Sequence, residues 1–215
     1  MNIGILGTGI VGQTIGSALV NLGHNVRMAS RTADNPSARA WTKVTGKEAS
    51  HGTFAEAAEF GEILFNCTAG MGSLSALQFA KTANLNYKVL IDVANPLDYS
   101  RGTPPTLTVC NTDSLGEQIQ RAHPLLNVVK TLNYLNCDVM VHPHRVAGSH
   151  DAFICGNNAN AKATVTLILM EWFGWNSVID LGDITASRGM EMVIPFWLSL
   201  RNKLGTTDFN FKIAK

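Results

Sequence analysis

Short apolar runs alternate with longer segments of helical periodicity along most of the chain. Short apolar runs predict buried strands, and their alternation with helices is typical of βαβ units around a parallel sheet. The predicted strands are 2–6, 25–30, 63–67, 88–93, 127–132, 153–155 and 178–181. We therefore expect an α/β fold with a doubly wound parallel sheet.

Capping residues mark where several helices begin and end. Gly23 is the expected C-terminal cap of one helix, and Asn35-Pro36 supplies an N-cap followed by proline in the first turn of another. Thr53 and Ser114 each precede a glutamate with the spacing of a capping box. The predicted helices are 11–22, those that begin after Asn35, Thr53 and Ser114, 159–173 and 185–203.

The pattern changes after about residue 150, where the strands become short. We expect a first domain at 1–140 and a small C-terminal α/β extension at 141–215, which supplies the substrate pocket and subunit contacts. The helix at 185–203 is apolar in nearly every direction, which indicates burial on more than one side. A second copy of the chain would cover it in a homodimer; alternatively, it packs only on its own domain. Pro195 predicts a kink or one lost hydrogen bond there.

Composition narrows the functional classes. The 215 residues are 46% hydrophobic and 15% charged, with a net charge of +1. These values exclude disorder and give no long-range attraction to nucleic acid or to anionic membranes. No apolar run is long enough to span a bilayer, and we expect no signal peptide. The four cysteines are far apart and form no C-x-x-C pair, which favours reduced thiols in a cytoplasmic protein.

A glycine motif lies between the first predicted strand and the first helix. It matches G-x-G-x-x-G in the context that binds dinucleotides in Rossmann folds. The first glycine permits a tight turn, the second lets the backbone approach a pyrophosphate, and the third allows close helix packing. Helix-start amides then face the phosphates. The alternative is a tight turn without a ligand. The predicted cofactor-binding residues are Gly7, Thr8, Gly9, Ile10, Val11 and Gly12.

The end of the second strand indicates which dinucleotide binds. NAD enzymes usually place an acid there for the ribose 2′-hydroxyl. This chain has Ser30, Arg31 and Thr32, and no carboxylate lies between residues 25 and 31. A guanidinium and two hydroxyls suit a 2′-phosphate, which an acid would repel. We therefore predict NADP(H), with Ser30, Arg31 and Thr32 as binding residues. The alternative is that Arg31 is only a solvated surface arginine.

Other strand ends should complete the site, because ligands bind at the carboxyl ends of parallel strands. The loop after 63–67 contributes Thr68, Ala69 and Gly70 as cofactor-binding candidates. The loop after 88–93 contributes Asn95 and Pro96, although this pair is equally a simple turn signal. Asn133 follows the predicted strand 127–132 and is the candidate that orients the nicotinamide. No residue is assigned with certainty as catalytic.

The residues for proton transfer to a carbonyl substrate are not evident. The sequence has no Tyr-x-x-x-Lys pair, G-x-S-x-G motif or P-loop. A flavin-like or deazaflavin ring accepts hydride directly, so this pattern favours a redox ring as partner. His142, His144 and His150 are interpreted as loop histidines, not metal ligands, although His144 or Arg145 could instead touch substrate. Cys67 and Cys137 are interpreted as packing residues.

Several segments beyond the glycine motif resemble one enzyme family. They are Gly23-His24, Ser30-Arg31, 92–97, 128–133, 153–158, Ala161-Lys162 and 180–184. The chain resembles the deazaflavin (coenzyme F420)-dependent NADP reductases and related dinucleotide-binding oxidoreductases, and it is similar to the cytosolic reductase domain of six-transmembrane metalloreductases. The resemblance implies a Rossmann domain with a small C-terminal part, commonly dimeric, that transfers hydride between NADPH and a deazaflavin or flavin. It implies that Asn133 and its neighbours meet the nicotinamide.

We therefore expect an NADPH-dependent oxidoreductase that acts on a deazaflavin, a flavin or a similar ring. The small-molecule acceptor stays open at this point. The alternative is a module that binds NADP(H) without turnover, as a sensor or for a partner protein. An open, apolar, ring-sized cavity beside the nicotinamide position would favour the enzyme.

Overall fold

The computed structural model describes residues 1–214. Within this range ten strands are formed: β1 (Asn2–Leu6), β2 (Asn25–Ser30), β3 (Ala49–Thr53), β4 (Ile63–Asn66), β5 (Val89–Asp92), β6 (Leu97–Asp98), β7 (Thr106–Leu107), β8 (Asn127–Thr131), β9 (Ala152–Cys155) and β10 (Val178–Asp180). The α-helices in the same range are α1 (Ile10–Asn21), α2 (Pro36–Thr45), α3 (Phe54–Phe60), α4 (Ser73–Ala80), α5 (Thr82–Leu85), α6 (Leu115–Ala122), α7 (Cys137–Val141), α8 (Ala159–Leu167) and α9 (Ser187–Leu204).

Eight strands form one sheet in the order β10-β9-β8-β5-β4-β1-β2-β3, and β6 and β7 form a separate hairpin. Neighbours in the sheet are parallel except for the antiparallel pair β8 and β9. The order reverses at β1, with β2 and β3 on one side of it and β4, β5 and β8 on the other. Such a reversal opens a crevice at the carboxyl ends of the strands. The expected Rossmann-type α/β fold is confirmed.

The central strands are buried because helices cover both faces of the sheet. β4 is buried at every residue, and β1 and β8 are buried beyond their first residue. Helix α1 packs closely on this core through Gly16, where an added Cβ would lie 2.9 Å from the Trp41 ring. The Trp41 indole N–H donates to the Ser17 hydroxyl at 2.9 Å. These contacts place α1, and the loop before it, over the end of β1.

The predicted caps are confirmed. The Asn35 side chain accepts from the Ala38 amide, and Thr53 forms a reciprocal capping box with Glu56 at the start of α3. The Ser114 hydroxyl accepts from the Glu117 amide at the start of α6. Gly23 adopts φ +85°, the left-handed conformation expected after the end of α1.

The structure corrects the sequence interpretation at several elements. β3 was not predicted, because its residues Ala49–Thr53 lack apolar alternation and form an edge strand. Helix α7 and the β6–β7 hairpin are too short to show a period. The helix expected at 159–173 is α-helical only to Leu167 and continues as a π-helical segment, Ile168–Trp172.

The C-terminal part joins the main sheet through β9 and β10. The division at residue 140 remains a prediction, and Lys215 lies outside the described residues. Pro195 lies inside α9 as expected, where its carbonyl accepts from the Ser199 hydroxyl at 3.0 Å. Across residues 1–214 no helix is both long and apolar enough to cross a membrane.

Candidate functional site

The β1–α1 loop is a tight turn held against the end of β4. Gly7 adopts φ +121°, which L side chains rarely adopt, and a Cβ there would lie 2.5 Å from the Cys67 carbonyl oxygen. A Cβ on Gly12 would lie 2.5 Å from the Gly7 carbonyl oxygen. Both glycines are therefore required by the packing of the chain itself.

Gly9 differs from these two glycines because its surroundings are open. Apart from its neighbours in the chain, no atom among the described residues lies within 4 Å of a Cβ built at Gly9. Gly9 is the N-cap of α1, and in the described chain no side chain caps this helix and no acid occupies its first turn. The amides of Ile10 and Val11 are thus available to an anion, and the helix dipole favours one there.

Ser30 and Thr32 form a small turn that carries Arg31 outward. The Ser30 hydroxyl donates to the Thr32 carbonyl at 2.7 Å and accepts from the Thr32 amide at 3.3 Å. Within residues 1–214 the exposed Arg31 guanidinium has no hydrogen-bond or ion-pair partner. The nearby acid Asp34 is already paired with Arg39 at 3.0 Å. Within the described residues, the end of β2 therefore presents an exposed guanidinium that has no polar partner.

A cleft of about 520 Å³ opens on the other side of β1, at the ends of β4 and β5. We call it the strand-edge cleft; its walls are Val11, the segments 67–71 and 93–95, and the hairpin residues 97–100. The predicted residues Val11, Thr68, Ala69, Gly70 and Asn95 all line it. The hairpin wall was missed because β6 and β7 give no signal in the sequence.

The floor of the strand-edge cleft is formed by a close contact between two loops. A Cβ on Gly70 would lie 2.1 Å from the Asn95 carbonyl oxygen and 2.8 Å from the Pro96 nitrogen. Gly70 therefore lets the segment after β4 pack directly on the peptide after β5. The structure brings these three predicted residues together.

Asn133 is turned into the protein, where it holds its neighbours in place. Its side-chain amide donates to Asn95 Oδ1 at 2.8 Å and to the Met190 carbonyl at 2.9 Å. Asn95 Nδ2 donates in return to the Asn133 carbonyl at 2.6 Å. Asn133 is only 1% exposed, so its predicted effect on the nicotinamide would pass through Asn95.

A buried ionic cluster of Asp92, Lys130 and Glu191 lies beneath these loops. The Lys130 ammonium is 2.9 Å from Asp92 Oδ2 and 2.9 Å from Glu191 Oε1, and all three side chains are buried. Burial disfavours the ammonium, but the two carboxylates outweigh that effect and raise the pKa of Lys130. Lys130 is therefore a fixed cation, not a proton donor.

Further contacts tie the buried ionic cluster to the strand-edge cleft and to α6. Asn66 donates to Asp92 Oδ1 at 2.8 Å and accepts from the Thr68 hydroxyl at 2.8 Å, and Thr68 lines the cleft. The backbone amides of Leu115 and Gly116 donate to Glu191 at 2.9 and 3.0 Å. A lysine inside an apolar strand was the available signal for this cluster, since buried lysines require partners.

The remaining sequence candidates lie elsewhere. His142 and His144 have ring centroids 5.6 Å apart, and His150 Nε2 is 3.0 Å from the Pro143 carbonyl. Arg145 pairs with Asp208 at 2.9 Å, away from the strand-edge cleft. No group of three metal-binding side chains occurs in the part of the chain that the structure describes.

The cysteines differ in exposure. Cys67 and Cys155 are buried, Cys137 is half-buried and Cys110 is exposed. Burial raises the pKa of Cys155 to about 12 and also raises the pKa of Cys67. The burial of Cys67 and its raised pKa disfavour the thiolate, which agrees with the interpretation of Cys67 as a packing residue.

Comparison with known proteins decides the family. A family model described as NADP oxidoreductase, coenzyme F420-dependent, matches residues 2–96. The crystal structure of a candidate F420-dependent NADP reductase from Arthrobacter sp. FB24 is 48% identical, with 99% of each chain covered and a TM-score of 0.93. The chain belongs to the coenzyme F420-dependent NADP oxidoreductase family. Members of this family are NADP-dependent oxidoreductases, so the chain is an enzyme of that class.

More distant structures share the fold of this F420-dependent NADP oxidoreductase family member. A hypothetical protein from Sinorhizobium meliloti is 20% identical over 87% of each chain, with a TM-score of 0.67. A reductive aminase from Aspergillus terreus, solved with NADPH and ethyl levulinate, is 17% identical over 95% of this chain and 62% of its own, with a TM-score of 0.65. A comparison with curated proteins found no match.

Proposed function

We propose that this oxidoreductase transfers hydride between NADP(H) and a planar ring acceptor, a deazaflavin or a flavin. The dinucleotide lies across the carboxyl ends of β2, β1, β4 and β5, and the acceptor enters the strand-edge cleft. All residues that line this cleft lie between 11 and 100, so the proposed acceptor site lies in the first predicted domain and not in the 141–215 part where the sequence analysis expected the substrate pocket. The bound dinucleotide supplies one hydride from its nicotinamide ring, and an acceptor that takes this hydride and one proton is reduced by two electrons.

The residues present fit NADP(H). Arg31 would bind the 2′-phosphate through its exposed guanidinium, with Ser30 and Thr32 beside it. The uncapped start of α1 would bind the pyrophosphate through the amides of Ile10 and Val11, over the open position at Gly9. The nicotinamide half would then extend past β1 toward the segments that begin at Thr68 and Ala94. The proposed cofactor site is completed by the other loop residues predicted from the sequence, which are Gly7, Thr8, Gly12, Ala69, Gly70, Asn95 and Pro96.

The observation that carries the acceptor assignment is the apolar character of the strand-edge cleft. Leu97, Tyr99 and Met71 line it, with Met71 68% exposed and Tyr99 58% exposed. Large apolar side chains exposed around a cavity mark a ligand site. A cavity of about 520 Å³ has room for a ring that stacks on the nicotinamide.

The carboxyl group in the wall of the cleft is not a general acid. Asp98 lies in its wall and accepts a hydrogen bond from the Ser100 amide at 2.8 Å. This bond lowers the pKa of the Asp98 carboxyl, so the group is ionised at neutral pH and cannot donate a proton. Direct hydride transfer to a ring does not need such a donor.

Anaerobic NADPH oxidation with a panel of ring acceptors tests the proposal. The panel contains coenzyme F420, FMN, riboflavin and a quinone, and absorbance at the acceptor's own band reports its reduction. We expect turnover with at least one ring and much slower oxidation of NADH. Binding of NADPH without turnover on any ring would contradict the reaction and support the sensor.

We also propose that α9 pairs with a second copy of the chain. Phe196 is 58% exposed on this helix, beside an apolar groove of about 420 Å³ that Val193 and Phe211 line. Phe196→Glu should convert a dimer to a monomer in sedimentation experiments. Phe79→Glu is the matched control, because Phe79 is 54% exposed on α4 instead. A wild-type monomer at micromolar concentration would contradict the proposal.

A further inference from the structure

We propose that Lys130 is a positioning residue that aims the backbone N–H of Asn95 into the strand-edge cleft, toward the nicotinamide half of bound NADP(H). The inference rests on the proposed nucleotide site. It extends that site to a buried side chain that does not touch the ligand.

The Lys130 ammonium has three oxygen neighbours, one of which is a backbone carbonyl. It donates to the Ala94 carbonyl at 2.6 Å and to Asp92 Oδ2 at 2.9 Å, and Glu191 Oε1 lies 2.9 Å away. Three N–H donors thus meet three acceptors, and none is left for a ligand. The role of Lys130 is therefore to hold this carbonyl below the floor of the cleft.

Holding the Ala94 carbonyl fixes the direction of the next amide. The peptide between Ala94 and Asn95 is planar and trans, so its N–H points away from its carbonyl. The carbonyl points to Lys130 in the interior, and Ala94 and Asn95 both line the strand-edge cleft. Among residues 1–214 the Asn95 amide has no hydrogen-bond acceptor. It is a free donor directed into the cleft.

Two other contacts keep the peptide from relaxing. The reciprocal pair of Asn95 and Asn133 ties its far end to the segment after β8, at 2.6 and 2.8 Å. Gly70 packs on the Asn95 carbonyl from the other side. These contacts fix where the segment lies, and Lys130 fixes which way the Ala94–Asn95 peptide faces.

The strand order decides which half of the dinucleotide this amide meets. Arg31 follows β2, on one side of the glycine loop, and Asn95 follows β5, on the other side beyond β4. A dinucleotide with its 2′-phosphate at Arg31 places its nicotinamide half near Asn95. The partner of the Asn95 N–H is therefore an oxygen on the nicotinamide or its ribose.

Binding of a whole and a truncated nucleotide tests this inference. We expect Lys130→Met to weaken NADP⁺ binding about ten-fold, the value of one well-placed hydrogen bond, and to leave 2′,5′-ADP within about two-fold. Lys162→Met is the matched control, because Lys162 also holds a carboxylate, Asp180, and a backbone carbonyl, that of Gly182, at 2.8 and 2.9 Å. This control should bind both ligands as the wild type does. Equal weakening of both ligands in Lys130→Met would overturn the inference.

An amide NMR titration of the wild type covers the case in which Lys130→Met does not fold. The Asn95 amide resonance should shift with NADP⁺ and should not shift with 2′,5′-ADP. If the Asn95 amide resonance does not shift with NADP⁺, the inference is overturned. A wild type that shows the shift but reduces no ring acceptor leaves the inference standing and contradicts only the proposed reaction.

Discussion

Gly70 packs against Asn95 so closely that a Cβ on Gly70 would lie 2.1 Å from the Asn95 carbonyl oxygen. This contact joins the segment after β4 to the segment after β5 and closes the floor of the strand-edge cleft. The Asn95 carbonyl oxygen belongs to the backbone, so it cannot move aside as the end of a flexible side chain can. The glycine is therefore required for the shape of the cleft, independently of any ligand.

Gly70→Ala should lower the free energy of unfolding by about 1–3 kcal/mol, because the added methyl forces two backbone segments apart. Chemical denaturation measures this change. Gly72→Ala is the control two residues away, where the described structure has no atom within 4 Å of the added Cβ and φ is −98°. Equal stability of the two variants would contradict the packing that we describe.

Acid stability should depend on the pair formed by Glu117 and Arg188. Arg188 Nε donates to Glu117 Oε2 at 2.8 Å and lowers the pKa of this buried carboxyl below its usual 4.5. A lowered pKa means that the folded state holds the proton less tightly than the unfolded state. The stabilisation is therefore full above pH 4.5 and is lost as the pH falls through the lowered value.

Glu117→Gln removes this titration, so its free energy of unfolding should fall less steeply with acid below pH 4.5 than that of the wild type. Urea denaturation at a series of pH values measures both slopes. Parallel slopes for variant and wild type would show that Glu117 does not contribute to the acid sensitivity.

Thiol reactivity should separate the cysteines by burial. Cys110 is exposed, whereas burial raises the pKa of Cys155 to about 12 and disfavours its thiolate. The fastest reaction of the native protein with an aromatic disulfide reagent should be at Cys110 and should disappear in Cys110→Ser. Rapid native modification of Cys67 or Cys155, located by mass spectrometry, would contradict the burial of these groups.

The fold was predictable from the sequence where the signals are local. Helix starts could be predicted from signals that involve only residues close together in the chain. These signals are the glycine motif, the Asn35 cap and the Thr53–Glu56 capping box. β3 could not be predicted, because Ala49–Thr53 is an edge strand with a mixed burial pattern and small or polar residues.

The candidate site was predictable only in part, for the same reason. The loops at Thr68 and Asn95 could be placed at one edge of the sheet, because parallel strands end together. The buried ionic cluster joins residues far apart in the chain, such as Lys130 and Asp92, 38 positions apart, and Glu191 and Leu115, 76 positions apart. No local pattern reports such a contact, and the inward turn of Asn133 depends on the same long-range packing.

The choice of NADP(H) depends most directly on Arg31, and equilibrium binding to the wild type and to Arg31→Ala tests it. The wild type should prefer NADPH to NADH, and Arg31→Ala should weaken NADPH about ten- to one-hundred-fold, since a charged hydrogen bond contributes roughly 1.5–3 kcal/mol. NADH binding should stay within about two-fold. Arg121→Ala removes an exposed guanidinium on α6 that is already paired with Asp113, and it should change neither affinity. An Arg31→Ala variant that keeps the wild-type preference for NADPH would contradict the account.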